Sequence, residues 1–165
     1  MCGAEPKPLP AGVQRVAALL QAHGHPHLQR LLDAAARTAQ QAADALGIAV
    51  GQIAKSIIFQ RVSDAAAVLV ITSGDRRVDA QKVTALVGPV GRADAAFVKA
   101  RTGFSIGGVA PLGHALPCVT LIDQELFRFA EIWAAAGHPH GVFALSPDDL
   151  ARLTGAPVVD VVVDP

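Results

Sequence analysis

Seven consecutive residues, Ala66-Ala67-Val68-Leu69-Val70-Ile71-Thr72, leave little choice of fold. A strand turns alternate side chains to opposite faces, and this run is apolar on both. It reads as a central strand covered on each side, which asks for a sheet with other elements packed on it. The chain is 165 residues long with 52% hydrophobic residues, enough for one domain with a full core. Only 17% of residues are charged, which excludes disorder as a description of the whole chain.

The remaining segments alternate between capped helices and strands. Val13, Val16, Ala17, Leu19 and Leu20 predict a helix over 11–22, closed by Gly24. Residues 28–37 suit a helix through Leu28, Leu31 and Leu32, and equally a short strand. Thr38-Ala39-Gln40-Gln41 has the form of a capping box and predicts a helix through Ala45 that stops near Gly47. Asp79 and Asp94 are placed to cap helices over 80–86 and 95–100. Ser146-Pro147-Asp148-Asp149 starts a last helix, with Ser as cap and Pro in the first turn, and Gly155 ends it. Strands are expected at 52–62, 66–72 and 116–122, as a pair within 132–145, and at 158–163. Asp123 can cap a short turn at 124–126, and the Gly- and Pro-rich residues 103–117 read as loop or hairpin. This order predicts a single mixed α/β (α+β) domain over 11–165, built on a curved sheet with flanking helices. A flexible N-terminal tail over 1–10 precedes it.

Lys55 is the residue that fits this plan least. It shares a strand face with Ile53, Ile57 and Phe59, in a chain with four lysines. Burying an ammonium costs several kcal/mol unless it finds a partner or loses its proton. Lys55 therefore either snorkels to the sheet rim or points into a polar pocket that uses its charge.

Other constellations admit two readings each. Residues 103–113 hold Gly103, Gly107, Gly108 and Gly113, whose backbone N–H groups can form a nest for an anion or carbonyl; a tight connection needing positive φ explains them equally. There is no dinucleotide-binding or phosphate-loop order of glycines. Arg76, Arg77 and Lys82 follow the turn after the central strand, and Lys99 and Arg101 precede the glycine-rich loop. They form either a phosphate-binding rim or scattered solvated charges. His23-Gly24-His25-Pro26-His27 and Gly137-His138-Pro139-His140 pair histidines two apart, which can ligate a metal, line a pocket or simply lie on the surface. No Cys or carboxylate sits beside them at metal-site spacing. Cys2 and Cys118 make no disulfide framework, and Cys118 reads as a buried strand thiol with no activating His beside it. The formal net charge is zero, so a nucleic-acid contact must rest on a local patch. No apolar run is long enough for a transmembrane helix, the start lacks a signal peptide's apolar stretch, and a reduced, cytoplasmic setting is expected.

Five segments match one pattern in order: residues 38–47, residues 52–59 with Lys55-Ser56, residues 70–79, residues 103–113, and residues 146–150. Together they resemble the YbaK/prolyl-tRNA-synthetase-associated domain family of editing domains, over about residues 28–163. The resemblance implies a mixed α/β domain with a barrel-like sheet, and resolves 28–34 as strand. It implies hydrolysis of mischarged aminoacyl-tRNA without cofactor or metal. tRNA is then a transient partner, an aminoacyl-tRNA synthetase a further one, and the membrane none. Lys55 matches the family's functional lysine. Gly107 and Gly108 match its Gly-x-x-x-Pro loop at the ester end of the tRNA, with Ser105, Ile106 and Pro111 alongside as substrate-binding positions. Ser56, His138 and His140 are expected to line the pocket or orient water, and Arg76, Arg77, Lys99 and Arg101 to meet tRNA phosphates. The expected substrate is a small amino acid such as Ala or Cys, with tRNA-Pro a candidate carrier. Ser56 stands where the alanyl-editing branch tends to have Asn, and the Gly137–His140 loop replaces the Gly/Arg-rich turn of the cysteinyl-editing branch, so the choice between them stays open. The competing functions are a non-catalytic module that binds aminoacyl-adenosine, tRNA or a synthetase, and a metal-dependent hydrolase using the histidine pairs.

Overall fold

A computed structural model describes residues 9–26, 29–32 and 38–164. In chain order the elements are α1 (Ala11–Ala22), β1 (Arg30–Leu31), α2 (Ala39–Leu46), β2 (Ile53–Arg61), β3 (Ala67–Ser73), α3 (Ala80–Val87) and β4 (Val90–Arg92). Then follow α4 (Ala95–Thr102), β5 (Val119–Asp123), β6 (Ile132–Ala135), β7 (Gly141–Leu145), α5 (Pro147–Thr154) and β8 (Val158–Val159). The strands form one mixed sheet in the order β1-β7-β6-β2-β3-β5-β8, with β4 beside one end of β2. The sheet is open, and none of the described helices is long and apolar enough to cross a membrane.

The central position read from Ala66–Thr72 is the one β3 occupies. It is antiparallel to β2 and parallel to β5, and all seven of its residues are buried. One face of β3 carries Leu69 and Ile71 into the larger core with Val16, Phe104, Phe143 and Leu150; the other carries Val68 and Val70 onto Val83 of α3 and Val161.

Local chemistry sets the helix ends. Thr38 Oγ1 accepts the Gln41 N–H at 3.1 Å, Asp79 the Gln81 N–H at 2.9 Å, Asp94 the Phe97 N–H at 2.8 Å and Ser146 the Asp149 N–H at 3.0 Å. Each satisfies a first-turn donor that the helix itself leaves without a partner. Gly47, Gly103 and Gly155 end α2, α4 and α5 in the left-handed conformation.

Four segments differ in extent from expectation. Strand pairing at 28–34 is realised at Arg30–Leu31, antiparallel to β7, while residues 27, 28 and 33–37 lie outside the described residues. β4 has no clear sequence signal, because three residues containing Gly91 show no alternation; it exists through pairing with residues 59–61. β5 begins only at Val119, since Pro117 offers no N–H to a ladder. That places half-buried Cys118 ahead of the strand, and burial raises its thiol pKa, which leaves it a poor nucleophile. The last strand ends at Val159; the chain then leaves the sheet, and Val162 bridges to Val78.

One close approach ties α1 to the β6–β7 hairpin. A Cβ at Gly12 would land on the Gly137 carbonyl oxygen, and one at Gly137 on that of Gly12. Gly137 also has φ +96, where an L side chain is strained. Gly12→Ala should therefore destabilise the protein by about 1–3 kcal/mol despite alanine's better helix propensity. Urea unfolding checks this, and an unchanged midpoint contradicts it.

Candidate active site

The site begins with an interruption in the sheet. One edge of β2 is paired with β3 along residues 54–60. The other edge meets β6 only at Ile53–Ala54 and β4 only at residues 59–61. Between those contacts no described strand covers residues 55–58. A cleft of about 240 Å³ opens there. Ile53, Ile57, Val109, Trp133 and Ala134 give it apolar walls, Thr38 and Ala39 bring in the start of α2, and Gly107 and Pro139 come from two loops.

Lys55 emerges on the same face as Ile53 and Phe59, which belong to different apolar clusters. Ile53 packs with Ala42 and Ala43 of α2, and Phe59 with the α3 side of the sheet. Lys55 stands in the space between them. It lines the apolar cleft and also a second, more polar groove of about 600 Å³ formed with Phe59, Gly74 and residues 75–78. No ion pair or hydrogen bond joins its ammonium to any described residue. Burial, and then the nearby Arg77 guanidinium, depress its pKa below the ordinary lysine value; Asp75 acts in the opposite direction.

Asp75 does not neutralise this groove, because it is already engaged. Arg128 donates to its two carboxylate oxygens at 2.8 and 3.3 Å and to Ser73 Oγ at 2.9 Å, and Arg76 lies 3.5 Å from Asp75. The hydrogen bond from Arg128 is the main reason the Asp75 carboxyl is held below its usual range. Ser73 Oγ in turn donates to the Gly51 carbonyl. Arg77 makes no hydrogen bond or ion pair through its side chain among the described residues. Two cations without ion-pair partners among the described residues, Lys55 and Arg77, thus share one groove, an arrangement that favours an anion.

The loop carrying Gly107 and Gly108 divides its labour. Gly107, at φ +89, lines the cleft, and its N–H donates to no described residue. The Gly108 N–H is taken by the Ser105 carbonyl at 2.9 Å. A Cβ at Gly108 would sit 2.8 Å from the His138 backbone, so its smallness serves contact between the two loops. Pro111 is buried, while Ser105 and Ile106 are exposed at the turn and do not line the cleft. Behind them Phe104 is buried, with the Arg15 guanidinium 5.4 Å from its ring centre.

Ser56 lines the cleft, as expected of its place beside Lys55. The histidines of the 137–141 loop do not: His138 Nδ1 accepts the His140 N–H at 3.1 Å, and the His140 carbonyl accepts the Leu32 N–H at 2.7 Å. Their work is to shape the loop and dock it on Leu32, just after β1, and Pro139 between them is what reaches the cleft. Among the described residues no three His, Cys, Asp or Glu side chains gather into a metal-binding group; His27 lies outside those residues. His25 Nε2 is 2.8 Å from the Ala144 carbonyl. Arg76 and Arg77 line the groove, whereas Lys99 donates to the Gly103 carbonyl at 3.1 Å and Arg101 stacks on Phe97; neither borders either cavity. Lys82 leaves the expected rim altogether, because Asp160 and Asp164 bind it. Sequence reasoning passed over Trp133, Pro139 and the Asp75–Arg128 pair. Trp133 carried a signal as the chain's one tryptophan, but nothing local tied it to residue 55.

Residues 33–153 match the model of a family described as an aminoacyl-tRNA editing domain. The uncharacterized protein YwhH of Bacillus subtilis (strain 168) is 32% identical over 129 residues, 77% of this chain and 82% of its own. A solved structure provisionally described as a trans-editing enzyme for prolyl-tRNA synthetase is 40% identical, with TM-score 0.87, covering 95% of this chain and 100% of the other. Hypothetical protein APE2540 is 28% identical, with TM-score 0.84, over 90% of this chain and 99% of its own.

The depressed pKa of Lys55 has a consequence for stability. The folded state binds this proton more weakly than the unfolded chain, so the penalty is full below the folded pKa and disappears as pH rises past the unfolded value. Lys55→Met should raise the urea midpoint at pH 7, and the gain should shrink as pH approaches about 10.5. Denaturation at pH 7 and pH 10 measures this; a destabilised variant at pH 7 contradicts the described setting.

Proposed function

The chain belongs to the aminoacyl-tRNA editing domain family, and on that premise we propose that it hydrolyses the ester joining a small amino acid to the 3′ end of a tRNA. The observation that carries this reading is the position of Lys55, on the border between an apolar cleft and a cationic groove. An aminoacyl-tRNA end has the same two parts, a side chain beside a ribose and phosphate. Placed across Lys55, the amino acid enters the cleft and the terminal phosphate meets Lys55 and Arg77.

The chemistry asks for positioning more than for reactive side chains. Water adds to the ester carbonyl carbon, the carbonyl oxygen becomes an oxyanion, and collapse breaks the bond to the ribose oxygen. That oxygen takes a proton and leaves as the tRNA hydroxyl, while the amino acid leaves as its carboxylate. The Gly107 N–H is the candidate donor to the oxyanion, and Lys55 adds positive charge at the same end. Among the described residues no carboxylate or imidazole lines the cleft, so the substrate's neighbouring ribose hydroxyl serves as a relay, taking the proton from the attacking water as it passes its own to the ribose oxygen that leaves. A bound phosphate also offsets the depression of the Lys55 pKa.

Selection works by size. A cleft of about 240 Å³ walled by Trp133, Ile53, Ile57 and Val109 admits a small side chain such as that of Ala or Cys and excludes bulky ones. The similarity to a protein described as serving prolyl-tRNA synthetase supports tRNA-Pro as the carrier and that synthetase as a partner. Arg76 and Arg77 are the tRNA-phosphate contacts this geometry favours, ahead of Lys99 and Arg101. That no described carboxylate or imidazole lines the cleft also suits a second reading, a module that binds aminoacyl-tRNA without turning it over.

Deacylation assays on tRNAs carrying Ala, Cys and larger amino acids separate the two. The expected result is turnover of small aminoacyl esters, lowered on the order of 100-fold in kcat/KM by Lys55→Ala. Saturable binding without turnover establishes the module instead. Arg77→Ala should weaken tRNA binding for every sequence and reduce the slope of log affinity against log salt by about 0.7, the share of one phosphate. An unchanged slope removes Arg77 from the interface.

A further inference from the structure

Lys82 was free to join the cationic rim and does not. Its ammonium donates to both Asp160 carboxylate oxygens at 3.1 Å, to Asp164 at 2.7 Å and to the Val162 carbonyl at 2.8 Å. All of these acceptors belong to one stretch, the chain after β8. The same stretch is what holds the backbone of the groove: the Val163 N–H donates to the Arg77 carbonyl at 2.8 Å, and the Asp79 N–H donates to the Val161 carbonyl at 2.8 Å. Val78 and Val162 form the bridge between them. Val161 is fully buried against Val70 and Val83, and Asp123 accepts its N–H at 3.0 Å, so the stretch is anchored where it enters. Beyond Val161 its placement depends on the bridge and on Lys82.

We infer that Lys82 is a positioning residue that acts on the groove through the C-terminal segment, holding residues 161–163 against residues 77–79 and so fixing where Arg77 presents its charge. The inference rests on the reading of the groove as the phosphate side of the site. A cation such as Arg77, without side-chain partners among the described residues, needs a rigid backbone to be useful in recognition, because an unfixed side chain and loop lose conformational entropy on binding. Lys82 and its two aspartates supply that rigidity from α3, and a compact ammonium meets several convergent oxygens without requiring a planar fork.

A double-mutant cycle on the full chain tests this, reading kcat and KM for a mischarged tRNA, or the Kd for uncharged tRNA. Lys82→Met should raise KM or Kd on the order of fivefold, with the effect on KM rather than kcat, and Asp160→Asn with Asp164→Asn should do the same. In an Arg77→Ala background Lys82→Met should add nothing, and Lys82→Arg should recover part of the loss. An unchanged KM in Lys82→Met, or an equal rise in both backgrounds, overturns the inference. If Arg77→Ala itself leaves KM and Kd unchanged, the phosphate reading of the groove fails and the inference falls with it. That outcome is distinct from a failure of the clamp alone, in which Arg77→Ala has its effect and Lys82→Met does not.

Discussion

The seven-residue antiparallel register between β2 and β3 decides where every candidate functional side chain goes. Lys55 lies opposite buried Thr72, and Ile57 opposite Val70. A slip of one residue would turn Lys55 into the larger core and Ile58 out of it. Such a slip is opposed by both sides at once: Leu69 and Ile71 belong to one core, and Val68 and Val70 to the other. The register is fixed by burial of β3 on two faces, and the lysine is carried along at a thermodynamic cost that the depressed pKa reports. A residue kept where it weakens the fold is of the kind that function explains better than stability.

The same register creates the opening. β6 and β4 each cover only one end of the free edge of β2, so the strand that holds Lys55 is paired at both ends, and no described strand pairs with it in between. Loops from opposite parts of the chain then close on that gap. Gly107 and Pro139 meet there because Gly108 lets the two loops touch, and the 137–141 loop is held by hydrogen bonds to Leu32. Cleft and groove are therefore two sides of one side chain, which is why a ligand with an apolar part and an anionic part fits the arrangement.

Much of this was legible locally. Thr38, Asp79, Asp94 and Ser146 announced their helices because a cap acts within one turn, and the apolar run at 66–72 announced a central strand because burial on both faces needs no partner to be named. Lys55 stood out for a similar reason, as a charge on an apolar face. What escaped was non-local. β4 exists through its pairing with the far end of β2, and Lys82 is taken by aspartates 78 and 82 positions on. His138 and His140 looked chemical in sequence, yet neither lines the cleft, and their Nδ1 atoms contact the His140 N–H and the Leu32 carbonyl. Gly108 and Gly107 were indistinguishable by composition; hydrogen bonding separates them, one N–H satisfied by Ser105 and the other available.

The central claim is that Lys55, without an ion-pair partner among the described residues, stands where cleft and groove meet and is kept for an anionic ligand. Nuclear magnetic resonance titration of its side-chain methylene next to the ammonium measures this directly, in the free protein and with a non-hydrolysable aminoacyl-adenosine 5′-phosphate. The account predicts a pKa below the ordinary lysine value in the free protein that rises when the analogue binds, with Arg77→Ala raising the free value as well. An ordinary pKa that the analogue leaves unmoved would contradict it.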